Sequence, residues 1–377
     1  MAKAFWIIVV VGILAMLQVK FFQKMSFKKL SYKRTISKNV VFEGEKIELV
    51  EVISNNKLLP IPWIRIESRL SPWLRFRSSG NLSIVDDQYH RSIFFLRSFS
   101  RVTRRYEVGC IHRGFYDLSD TTVTIGDLFG MNFFMRELNH NIKLWVYPAI
   151  LDDSQLPDEA LRWQGDISVR RWIFPDPILI NGIRDYKPGD SRKDIHWKAT
   201  ARTGNLQVKT HDYTVCPRIV IVFNVDPQDE FWGHLSETEQ ENMEYGIRTA
   251  ASIIAWAIEN DMEVGLYSNA RLATDKEQDI AVQPACSESQ FHTLLTTLAA
   301  VDLKEHESIY HTMERLVDDQ TEDADILVLS TFWNDSLEQR AETLRALGNS
   351  VTHVYMRKEA VKFEYEGEDP DAPARAV

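Results

Sequence analysis

The chemistry-bearing residues of this chain gather in one segment, Ile183 to Gly204, which reads IRDYKPGDSRKDIHWKATARTG. It holds Arg184, Lys187, Arg192, His196, Lys198 and Arg202 alongside Asp185, Asp190 and Asp194. Guanidinium, imidazole and ammonium groups around a helix start are what a phosphate or a partner's carboxylate requires. The same inventory also serves structure. Asp185, Asp190 and Asp194 can pair internally and make the segment an ion-pair latch joining the elements on either side, since charge clusters serve structure as well as function. His196 has no cysteine or serine nucleophile placed beside it by the sequence, so it does not by itself indicate catalysis.

Local physics predicts the shape of the segment. Pro188-Gly189 suits the centre of a type II turn, where glycine accepts positive φ. Asp190 or Ser191 can then cap a helix, with Asp194 three residues after Ser191, and Gly204 closes it at its C-terminus. Within that helix Arg192, His196 and Thr200 fall on one face, Ile195 and Ala199 on another, and Trp197 is expected in the core. Leu206 and Val208 begin an extended run that ends at Lys209.

The elements that position the segment follow from hydropathy. Residues 35–148 read as a small antiparallel β-sandwich, with short β-branched runs such as Lys46–Ile53 and Ile61–Glu67 broken by turn clusters. Residues 149–217 form a connector carrying the charged segment, stopped in part by Pro175-Asp176-Pro177. From 218 to 358 strand-like and helix-like patterns alternate. Ile219–Val225 is a continuous apolar run of the buried-strand kind, and Met243, Ile247, Ala250, Ile254 and Ile258 mark an amphipathic helix. That alternation predicts an α/β domain with a mostly parallel sheet. Residues 359–377, rich in Glu, Asp, Pro and Ala, are expected to be disordered.

Residues 1–34 read as a transmembrane helix with a basic juxtamembrane flank. Ala4 to Val19 carry no charge and span roughly 24 Å as a helix, the short end of what crosses a bilayer. Lys20, Lys24, Lys28, Lys29, Lys33, Arg34 and Lys38 follow it against Lys3 alone before it, which predicts a single-pass anchor in the cell membrane with a cytoplasmic body. Across the 377 residues the net charge of −10 argues against a nucleic-acid partner. Cys110, Cys216 and Cys286 form neither a disulfide framework nor a metal-ligand pattern.

The run Arg184–Lys209, RDYKPGDSRKDIHWKATARTGNLQVK, resembles the signature of the domain of unknown function 58 family of bacterial proteins. Val41-Phe42-Glu43-Gly44-Glu45, Arg113-Gly114-Phe115-Tyr116 and Asp127-Leu128-Phe129-Gly130 resemble family landmarks upstream. The resemblance implies an α+β multidomain chain whose last domain is von Willebrand factor A-like. It also implies protein–protein interaction, with a MoxR-type AAA ATPase and a transglutaminase-like membrane protein as candidate partners in an assembly or chaperone-like system. The motif residues it singles out are Arg184, Asp185, Tyr186, Gly189, Asp190, Arg192, His196, Trp197, Lys198, Arg202 and Lys209. A von Willebrand A-like domain would carry a D-x-S-x-S metal loop after its first strand; here that position reads Asn224-Val225-Asp226, with Ser330-Thr331 and Asp335 as further oxygens. Asparagine in place of aspartate and the missing serines predict no metal and no cofactor. The reading favoured by the sequence is a non-enzymatic scaffold or adaptor, against a hydrolase or anion-binding protein using the Arg/His/Asp cluster.

Overall fold

The computed structural model describes residues 2–69, 71–76, 82–85, 89–127, 132–173, 180–187, 190–211, 217–229, 233, 235–275 and 277–357. The expected turn at Pro188-Gly189, the stop at Pro175–Pro177, Leu128-Phe129-Gly130 and the tail from 359 lie outside these residues. The chain divides into two compact units, one running up to Ala149 and the other beginning at Ile150.

The first unit opens with helix α1 (Ala2–Met25) and continues in twelve strands: β1 (Leu30–Ile36), β2 (Val40–Phe42), β3 (Lys46–Asn55), β4 (Ile61–Arg69), β5 (Leu74–Phe76), β6 (Leu82–Val85), β7 (Tyr89–Leu96), β8 (Ser100–Cys110), β9 (Gly114–Asp117), β10 (Asp120–Gly126), β11 (Phe133–Asn139) and β12 (Lys143–Tyr147). Two antiparallel sheets, β1-β3-β8-β5 and β11-β10-β4-β7-β6, carry most of it. A third, β2-β12-β9, pairs β2 and β12 in parallel. Alternation produces the core: Ile64 and Ile66 of β4 are buried with Phe94, Val123 and Ile125, because successive side chains of a strand point to opposite faces, and a register shift between Ile61 and Ile64 brings Ile61 into the same cluster.

The transmembrane expectation is corrected here, and the membrane localisation with it. Among the described residues no helix is long and apolar enough to cross a membrane. In α1 the uncharged stretch lies between Lys3 and Lys20, and its roughly 24 Å falls short of a hydrocarbon core of about 30 Å. The far end of α1 belongs to the protein instead. Phe22 is buried, and Lys57 Nζ donates to the carbonyls of Met25 (2.9 Å), Lys28 (3.1 Å) and Ser26. Of the basic flank expected beside lipid, Lys33 and Arg34 lie in β1, which pairs with β3 from Leu30↔Asn55 to Ile36↔Leu49.

In the second unit helix α2 (Asp158–Ile173) leads to a hairpin of β13 (Ile180–Asp185) and β14 (Gln207–His211), with the short helix α3 (Trp197–Thr203) between them. Then come β15 (Arg218–Phe223), α4 (Glu237–Glu259), β16 (Glu263–Leu272), β17 (Asp279–Ala285), α5 (Glu288–Ala300), β18 (Val301–His306), α6 (Ile309–Asp318), β19 (Ala324–Ser330), α7 (Asp335–Ala346) and β20 (Ser350–Tyr355). The sheet order is β17-β16-β15-β19-β20, with β18 also on β16. Ile219 to Phe223 are all buried, as a strand covered on both faces requires.

This sheet is mixed, and it departs from the expectation in two antiparallel pairings. β15, β16, β19 and β20 run parallel, but β17 and β18 both pair antiparallel with β16. The segment between β16 and β17 is too short to hold a crossover helix, so the chain turns straight back. The von Willebrand A-like identity expected for this unit is dropped for that reason and for the closed loop after β15 described below.

Candidate functional site

The hairpin β13–β14 and the turns between its strands form a small locked platform. Ile183 faces Lys209, Arg184 faces Val208, and Asp185 faces Gln207 across the ladder. The helix expected from Ser191 to Gly204 is broken in two. Ser191 caps only one 3-10 turn, Arg192–Asp194, accepting from the Lys193 N–H. Ile195 then bridges to Val208, and both are buried. This extended step removes the shared face proposed for Arg192, His196 and Thr200.

A second start follows at His196. Its Nδ1 accepts the Ala199 N–H at 3.0 Å and its own N–H donates to Gln207 O at 2.8 Å. The imidazole therefore acts as an N-cap, a role that requires an unprotonated Nδ1. Thr200 Oγ1 accepts the Gln207 N–H at 3.0 Å, and Gln207 Nε2 donates to Asp185 Oδ1. Gly204 ends α3 at φ 74°, and its N–H donates to Thr200 O, a left-handed position where glycine carries no Cβ penalty.

One ion pair anchors the turn. Arg184 Nη1 and Nη2 donate to Asp190 Oδ2 and Oδ1 at 2.7 and 2.8 Å, a bidentate fork. The Lys187 N–H also donates to Asp190 Oδ2 at 2.8 Å. The Arg184 hydrogen bonds, then that backbone one, hold the Asp190 carboxyl down at about 2. Tyr186 is half-buried, and its N–H donates to Leu206 O. Lys209 is half-buried on β14, and Gly189 lies outside the described residues.

The rest of the cluster points outward. Arg192, Lys193, Lys198 and Arg202 are exposed. Trp197 is 67% exposed, which corrects its expected place in the core. On α3 the residues turned to the hairpin are Ala199 and Thr200, so at 100° per residue Trp197, Lys198, Ala201 and Arg202 share the opposite side. Ile183 and Leu206 are exposed apolar residues of the same segment. The motif is thus a paired, hydrogen-bonded base carrying an exposed surface of one indole and several cations. Among the described residues it brings no nucleophile to His196, whose Nδ1 is already committed to its cap.

The loop after β15 is a different kind of polar cluster. Asn224 Nδ2 donates to Ser330 Oγ at 2.9 Å. Asn269 Nδ2 donates to Asn224 Oδ1 (3.1 Å), Asp226 Oδ2 (3.0 Å) and Glu307 O (2.9 Å). Thr331 Oγ1 donates to Pro227 O at 2.9 Å, and Asp335 is the exposed first residue of α7. Amide N–H groups occupy the directions from which oxygens would bind a cation. Among the described residues no group of three His, Cys, Asp or Glu side chains is arranged for a metal. Asn269, at the centre of this network, escaped the sequence reading; its signal was its position within β16 next to Ser268, which pairs with Phe223 and so sets Asn269 level with Asn224.

Comparison with known proteins supports one assignment. Residues 182–361 match the model of the family described as Protein of unknown function DUF58. The match takes in the platform from Gly182 onward together with the α/β sheet. No curated protein matches the chain. Solved structures match over about a third of it. A CARDB domain from Pyrococcus furiosus is 14% identical, covering 32% of this chain and 96% of that one, at a TM-score of 0.19. A non-cellulosomal cohesin from Archaeoglobus fulgidus is 11% identical over 33% of this chain and 95% of that one, at 0.22. For an alpha-2-macroglobulin fragment from Escherichia coli the values are 12%, 32%, 23% and 0.25. None of these scores is high enough for a shared overall fold to follow.

Proposed function

We propose that this chain is a non-enzymatic adaptor that binds a protein partner through the outward side of α3, with Trp197 as the anchor and Lys198 and Arg202 beside it. The observation that supports the reading is the exposed indole on a helix whose opposite side is fixed by His196, Thr200 and Gln207. A rigid, exposed tryptophan flanked by arginine is the composition of interface anchors. Preorganisation lowers the ordering cost of binding. The resemblance of the motif to its family makes a MoxR-type AAA ATPase the partner to test.

Binding of the purified ATPase is measured by interferometry against the wild-type chain and the variant Trp197→Ala, Lys198→Glu, Arg202→Glu. An anchoring tryptophan contributes about 2 kcal/mol or more, so the variant should bind at least roughly 30-fold more weakly. Equal binding by both chains, with circular dichroism unchanged, would sink the proposal.

A further inference from the structure

The platform sorts its charges. Two carboxylates are taken up within it: Asp190 by the Arg184 fork and the Lys187 N–H, and Asp185 by Gln207 Nε2. Arg192, Lys193, Lys198 and Arg202 are exposed instead, and no carboxylate among the described residues pairs with them. Lys198 and Arg202 stand four residues apart on α3, about 6 Å along its axis. Like charges at that spacing oppose the helix that carries them. In a chain of net charge −10 such a surface gains from an anionic occupant. Trp197, 67% exposed on the same side, adds a flat apolar ring and one N–H donor.

We infer that the element this surface takes from its partner is an acidic peptide segment, with two carboxylates about 6 Å apart on Lys198 and Arg202 and an apolar side chain over Trp197. This rests on the partner-binding reading above and adds the chemistry of the partner. Carboxylates two residues apart in an extended segment, at about 3.3 Å per residue, have that spacing, as do carboxylates four apart in a helix. Arginine receives a carboxylate through a two-pronged fork. A free phosphate fits less well. It needs donors that converge on one point, whereas Lys198 and Arg202 project from the convex side of a helix, and the Ala199 N–H at its start is taken by His196 Nδ1. Nucleic acid also uses cations with aromatic rings, but the acidic chain opposes it.

The test uses the full-length chain and a fluorescein-labelled random copolymer of glutamate and tyrosine, followed by fluorescence anisotropy. Saturable binding is expected. It should weaken about 10-fold in Lys198→Gln, Arg202→Gln, which keeps the indole, since two exposed charge contacts are removed. The control Lys46→Gln, Arg105→Gln removes the same charge from exposed residues of the first unit and should bind as the wild type does. Wild-type binding should also fade as salt rises from about 0.05 to about 0.5 M, where the Debye length falls from roughly 14 to roughly 4 Å. No saturable binding, or equal losses in the two variants, would overturn the inference. Tighter binding of single-stranded RNA through the same two cations would overturn it as well. The ATPase measurement is independent: binding that depends on Trp197 but is indifferent to salt and to Lys198→Gln, Arg202→Gln rejects only the acidic segment. Copolymer binding as expected, with no ATPase binding, rejects only that ATPase as the partner.

Discussion

Two arginine–carboxylate pairs in this chain use the same chemistry in opposite settings. In the first unit Arg34 Nη2 donates to Glu51 Oε1 at 2.8 Å with both side chains fully buried, and also to Ser68 Oγ at 2.9 Å. Tyr32 OH adds a hydrogen bond to the same carboxylate oxygen, and burial pushes the Tyr32 phenol far above its usual range. In the second unit Arg184 and Asp190 form a fork of similar length with the arginine side chain 44% exposed. A buried pair is indispensable once present, because removing one partner strands a charge in low dielectric. An exposed pair shapes its loop and contributes little to global stability. The first is part of a core; the second holds an exposed turn in place.

The comparison breaks first, if it breaks, at Glu51. Glu51→Leu strands Arg34, whose Nε and Nη1 already lack partners among the described residues, and should cost about 3–5 kcal/mol in urea unfolding. Adding Arg34→Met should recover most of the loss; no recovery would mean that the packing, not the charge, carries the effect. Next in size is Lys57→Met, which removes the ammonium from three carbonyls at the end of α1. It should cost about 1–3 kcal/mol and expose the Met25–Lys28 stretch to protease. His196→Ala removes the N-cap of α3 and should cost about 1 kcal/mol, read as faster amide exchange at Lys198 and Ala199.

Smallest in global effect is Arg184→Ala. It should leave the melting transition in place while the turn around Asp190 exchanges faster. The pH dependence has a definite sign. The Asp190 carboxyl sits at about 2 in the fold against an ordinary 3.8, so its contribution is fully present above about 4. It is lost as the pH falls from there toward about 2. NMR of the Lys187 amide should follow that loss in the wild type and show no such step in Arg184→Ala.

How far the sequence could be read differs between these regions for physical reasons. β15 was visible because burial on both faces demands an unbroken apolar run, and Ile219–Phe223 supplies one. The hairpin pairing of Arg184 with Val208 was not, since register between segments more than twenty residues apart leaves no local trace. The capping pattern put the helix start at Ser191 because serine is a strong cap and histidine a rare one; the Ile195–Val208 bridge moved it to His196. Trp197 was assigned to the core by residue type alone, whereas its outward position follows from Thr200 and Ala199 facing the hairpin. At the N-terminus the apolar run was read correctly as helix, but burial of Phe22 and the Lys57 contacts are tertiary facts no hydropathy pattern contains.

The central claim is that the outward side of α3 is a binding surface on a fixed platform. Amide hydrogen exchange, measured on the full chain with and without saturating purified MoxR-type ATPase, tests it most directly. New protection over Trp197–Thr203, with β15 and the sheet strands unchanged, is the predicted result. Protection confined to other segments, with α3 exchanging as fast in the complex as in the free chain, would contradict it.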